Sequence, residues 1–164
     1  MRNRDLFFKK IIILLLITFP LIVLDQASKL WVDHNLILSQ SIEIIKNIFH
    51  ITSIRNTGVA FGIFSGIDSL YLQNIFIIIT FVAIGFIVFF YWKLESEQCW
   101  LSIGTACIMG GAIGNLIDRI RLGGVIDFID IHYYSHHWPA FNVADSFITI
   151  GAFIFGASIL LKKY

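Results

Sequence analysis

The stretch GGVIDFIDIHYYSHHWPAFNVAD, Gly123 to Asp145, places Asp127, Asp130 and Asp145 around His132, His136 and His137 in a chain with only 11 acidic residues. Asp118 lies just upstream. Two carboxylates brought together share one proton, so one works as base and the other as acid on a water. Asp127 sits among Val125, Ile126, Phe128 and Ile129, apolar neighbours that desolvate a carboxylate and raise its pKa. Asp145 follows Asn142 by three residues, the spacing of a helix N-cap and its capping-box partner, at the positive end of a helix dipole. These opposed settings suit an acid and a base. Their separation of 18 residues in sequence does not establish contact.

A zinc site is the competing chemistry for the same stretch. Asp130, His132, His136 and His137 are all possible ligands, and His132 and His136 are four apart. The stretch has no H-E-x-x-H, and Pro139 argues against a helix that would align them. Solvated histidines at a membrane surface are the stronger reading, so no metal or cofactor is expected in the chemistry.

The elements that must position these residues are membrane spans. Of 164 residues, 57% are hydrophobic and 14% charged, against about 25% charged in a typical globular domain. A net charge of +1 gives no field to capture nucleic acid. Cys99 and Cys107 lie in an apolar stretch and read as buried thiols. Four apolar runs, 11–31, 73–92, 100–117 and 143–161, are each near the ~20 residues needed to cross a bilayer. No small-x-small cleavage site follows the first run, so it reads as a retained helix. Together they make a single membrane-embedded domain over 1–164.

Lysine and arginine set the orientation. The two termini and the 93–98 link carry seven, against four in the much longer segments 34–72 and 118–143. Both termini are therefore expected in the cytoplasm, with the long segments outside. Within these, 40–66 is rich in β-branched and aromatic residues with partial alternation, which predicts short strands at the membrane face. Tyr133, Tyr134 and Trp138 suit the headgroup level.

Ionisable groups at membrane depth are costly and need a reason. Asp25 and Lys29 are four apart at the end of the first run and read as a structural ion pair. Gly110 and Gly114 form a G-x-x-x-G step for close helix packing. Asn115 and Arg119 follow on one helix face with Asp118 alongside. Arg119 alone would read as a snorkelling charge, but three such groups together exceed what anchoring requires.

DQASK, RNTGVAF, GNLIDR, GVIDFID and FNVADSFITIG, in this order across nearly the whole chain, closely resemble the lipoprotein signal peptidase (signal peptidase II) family. Val59 stands where alanine is more usual in that family. The resemblance implies a mainly α, four-helix membrane aspartyl protease of bacteria with a small extracytoplasmic β-like cradle around 40–66. Its substrate would be a prolipoprotein, cut just before a diacylglyceryl-modified cysteine. It implies that Asp127 and Asp145 are the catalytic pair, with Asn56, Asn115, Arg119 and Asn142 supporting them and Asp25, Lys29 and Asp118 structural. The expected partners are these substrates and membrane lipids, and the enzyme is expected to act as a monomer. The alternative from another class is a small transporter or proton channel using the acidic residues as a relay. Four spans, no repeated halves and acidic groups near one interface speak against it.

Overall fold

The computed structural model describes residues 2–58, 70–95 and 98–161. Among these residues, four helices are long and apolar enough to cross a membrane. The first comprises α1 (Arg2–Ile13), a wider π-type turn at Leu14–Thr18, and α2 (Phe19–Asn35). The widening falls just before Pro20, which has no N–H to offer the preceding turn; Phe19 N–H instead reaches back to the Leu14 carbonyl. The others are α3 (Leu70–Lys93), α4 (Cys99–Leu122) and α5 (Val143–Leu160).

Helix α4 is the centre of the bundle: more than half of its span is buried, against less than a fifth of each of the other three. The outward faces are apolar, with Leu16, Phe86 and Phe153 all largely exposed. An uncovered apolar surface of this extent needs lipid, not water, as its solvent. Small residues let the backbones close on α4. A Cβ on Gly111 would fall on the Ala144 carbonyl oxygen, and one on Gly151 would lie 2.6 Å from the Gly104 oxygen. Gly110 and Gly114 face the first helix instead, against Leu21 and Asp25. A core of Tyr91, Leu94, Leu101, Ala106 and Met109 locks α3 to α4 at one end. There Tyr91 also donates to the Lys10 carbonyl at 2.8 Å.

At the other end lies an antiparallel sheet of β1 (Ser41–Ile45), β2 (Phe49–Asn56), β3 (Val125–Tyr133) and β4 (His136–His137), in that spatial order. Residues 59–66 of the expected cradle, Val59 among them, lie outside the described residues. Gly123 caps α4 with φ of 69°, a left-handed conformation that suits glycine, and its N–H bonds the Arg119 carbonyl. The chain thus turns directly from α4 into β3. Ile126 and Phe128 on one face of β3 pack on Val32 and Leu36 at the end of α2. The return to α5 is pinned by Phe141, whose carbonyl accepts from the N–H of Phe128 and Ile129 and whose N–H donates to Ile129.

Candidate active site

Asp127 on β3 and Asp145 in the first turn of α5 converge on Asn142. The Asn142 amide Nδ2 donates to Asp127 Oδ1 at 2.7 Å, and its backbone N–H reaches Asp145 Oδ2 at 3.3 Å. Asn142 Oδ1 in turn accepts the Asp145 N–H at 2.9 Å, completing a capping box. The cap that starts α5 therefore also joins the two carboxylates. Asn142 is fully buried and Asp127 nearly so, while Asp145 is half-buried.

Each carboxylate has a second amide donor. Asn56, the last residue of β2, donates to Asp127 Oδ2 at 2.9 Å. Asn115 on α4 donates to Asp145 Oδ1 at 2.8 Å. Its own oxygen accepts from Lys29 Nζ at 2.9 Å, so Asn115 connects Asp145 to a buried charge cluster. In that cluster Lys29 bridges Asp25 at 2.9 Å and Asp118 at 3.0 Å, all three essentially inaccessible. The carboxylates also hold backbone: Asp25 accepts the Ala144 N–H at 2.9 Å, and Asp118 accepts the Ile126 N–H at 3.2 Å. One ion cluster thus fixes the residue before each carboxylate of the pair. Arg119 donates to the Gly58 carbonyl at 3.1 Å, with its guanidinium over the Phe76 ring.

Burial, and secondarily the charge of Asp145, push Asp127 up to about 7. The hydrogen bonds from Asn56 and Asn142 and the charge of Lys29 act in the opposite sense. Asp127 therefore holds its proton to a higher pH than an ordinary carboxylic acid does. A reaction needing that proton loses rate as pH rises through about 7. The Asn56 amide favours the ionised form, so removing it raises the Asp127 pKa further. The expected result for Asn56→Ala is an alkaline limb of the kcat/KM–pH profile displaced to higher pH. A limb that stays put or moves down would contradict this assignment.

Two polar residues of the site carried no role in the sequence reading. Gln26 donates to Asp25, to the Gly114 carbonyl and to Asp118, all at 3.1 Å. A glutamine next to Asp25 at membrane depth was a usable signal for it. His50, on β2, meets Asp130 only through strand pairing and had no local signal. Asp130 and the histidines His132 and His137 gather away from the dyad on the sheet, and His136 is exposed.

A helical bundle with large apolar outward surfaces holds two amide-clamped carboxylates at one end, the parts an aspartic-type membrane peptidase needs. Comparison with known proteins makes this specific. A family model described as "Signal peptidase (SPase) II" matches residues 17–161. A lipoprotein signal peptidase of Geobacter metallireducens is 46% identical over 83% of this chain and 83% of its own length. That of Syntrophus aciditrophicus is 41% identical over 94% of this chain and 97% of its own. A bacterial membrane enzyme solved by the in meso method at 2.3 Å superposes with a TM-score of 0.79 at 34% identity, covering 90% of this chain and 87% of that one. The chain belongs to the signal peptidase II family and is a multi-pass bacterial membrane peptidase that processes prolipoproteins.

Proposed function

We propose that Asp127 and Asp145 together activate the water that cleaves the prolipoprotein signal peptide, just before the lipid-modified cysteine. The observation that carries this reading is the capping residue Asn142, which holds both carboxylates at once. Asp145, the more open of the two, acts as base: it takes a proton from the water as the water oxygen attacks the scissile carbonyl. Asp127 donates its proton to the carbonyl oxygen, giving a tetrahedral diol. Collapse of the diol breaks the C–N bond, with a proton returned to the departing amine. No covalent enzyme intermediate forms. Asn56 and Asn115 hold the carboxylates in position, and Arg119 fixes the chain at Gly58 beside Asn56.

The same reading places both termini in the cytoplasm and the sheet at the outer face. The whole chain works there as one monomeric domain in contact with lipid. The exposed rings of Tyr133 and Tyr134 fit the headgroup layer. The test is a cleavage assay with purified enzyme in lipid vesicles. A prolipoprotein carrying diacylglyceryl on its cysteine is cut, and the same chain without the lipid is not. Chelators leave turnover in place, because the dyad uses no metal. Loss that zinc restores, and that His132→Gln reproduces while the protein stays folded, would move the hydrolytic chemistry to the histidines.

A further inference from the structure

The sheet carries a second polar cluster that the cleavage chemistry does not use. Strand alternation puts Asp130 and His132 on one face of β3, opposite to that of Asp127. His50 of β2 is the direct partner of Asp130, and His137 of β4 is the direct partner of His132. Three strands therefore deliver three imidazoles and one carboxylate to a single patch. One ligand atom from each of His50, Asp130 and His132 lies within 4.8 Å of the other two. In a tetrahedral zinc shell such atoms are about 3.3 Å apart, so closing the set needs each pair to approach by at most about 1.5 Å.

Two further observations point to an ion. His132 is 6% exposed, and its Nδ1 is one of two buried side-chain nitrogens, among the described residues, with no hydrogen-bond partner. An orphaned buried imidazole nitrogen is costly unless something binds it. His137 Nδ1 contacts both Asp130 oxygens at 2.9 and 3.0 Å, the outer-shell contact that orients a ligating carboxylate.

We propose that His50, Asp130 and His132 bind one divalent transition-metal ion of the zinc class, with His137 holding the Asp130 carboxylate. Two imidazoles and one carboxylate favour such an ion over magnesium or calcium, which take oxygen ligands. The fourth position is left for water. Asp130 is three residues from Asp127, about 10 Å along the strand and on the other face. The ion clamps β2 to β3 and takes no part in hydrolysis. The set differs from the one the sequence suggested: His50 enters, His136 drops out, and His137 changes from ligand to the residue that holds Asp130.

The test uses the full chain in detergent, without a polyhistidine tag, stripped by chelator and titrated with Zn2+ and with Co2+ in excess Mg2+. One equivalent of Zn2+ is expected to stay with the wild type through gel filtration, and the Co2+ form should show the intense visible bands of a four-coordinate site. Bound Zn2+ should also raise the unfolding temperature. His132→Gln and Asp130→Asn lose the stoichiometric ion and that thermal shift. His137→Ala weakens binding by about 10- to 100-fold. His34→Ala and His136→Ala bind as the wild type does. Less than one equivalent on the wild type overturns the proposal, whatever the variants do. So does binding that survives in both His132→Gln and Asp130→Asn, because the ion is then elsewhere. The readouts are metal content, spectrum and thermal shift, so the result is independent of the cleavage mechanism.

Discussion

Asp127→Asn and Asp145→Asn each lower kcat/KM on a lipid-modified prolipoprotein by at least about 1,000-fold, the scale of a positioned acid or base. The two losses have different origins. Asparagine at 127 cannot supply the proton that burial keeps on Asp127 up to about 7. Asparagine at 145 cannot take a proton from the water. The substitutions are isosteric but not silent in structure. Both Asp127 oxygens accept amide N–H groups, from Asn142 and Asn56. Both Asp145 oxygens do the same, from Asn115 and the Asn142 backbone. An asparagine at either position must set its own NH2 against one of these donors, a mismatch worth about 1–3 kcal/mol. Each variant should therefore insert and fold with a lowered Tm, which separates loss of chemistry from loss of protein. The double variant is no slower than the worse single one, because the pair acts as a unit. Turnover within about tenfold of wild type in either folded variant would end the dyad assignment.

The helices were legible in sequence because a bilayer imposes a length and a composition, and the four apolar runs met both. The π-type widening before Pro20 was not anticipated, although proline's missing N–H is its cause. Asn142 and Asp145 were legible as a capping box, which is a local pattern spanning four residues. Asp127 was legible as a desolvated carboxylate because its neighbours in sequence are also its neighbours in space. What failed to show was everything set by strand pairing. His50 joins Asp130 across β2 and β3, and no spacing along one chain segment reports that. The weighed zinc set relied on a helical i,i+4 relation of His132 and His136, whereas a hairpin turns His136 outward and brings His137 opposite His132. Asp25 and Lys29 were visible as a pair through helical spacing. Their third member, Asp118, comes from another helix and converts a pair into a hub.

That hub governs the second large effect. Lys29→Met keeps the bulk of the side chain but leaves Asp25 and Asp118 buried together without their cation. Breaking a buried ion pair from one side costs about 3–5 kcal/mol. The damage extends to the site, because Asp25 holds the Ala144 N–H and Asp118 the Ile126 N–H, one residue before Asp145 and Asp127 respectively. Asn115 also loses the donor to its oxygen that aims its amide at Asp145. Lys29→Met should therefore lower both Tm and kcat, although Lys29 touches neither proposed catalytic carboxylate by hydrogen bond. Asp118→Asn is milder on both counts. It leaves Lys29 paired with Asp25, and its amide oxygen can still accept from Ile126. Adding Asp118→Asn to Lys29→Met removes one of the two stranded charges, so the double variant should be more stable than Lys29→Met alone. Thermal unfolding of the three purified proteins, with cleavage measured in parallel, decides the matter. If Asp118→Asn is the more damaging single change, or if the double variant is the sum of the two losses, Lys29 is not the residue that neutralises this cluster.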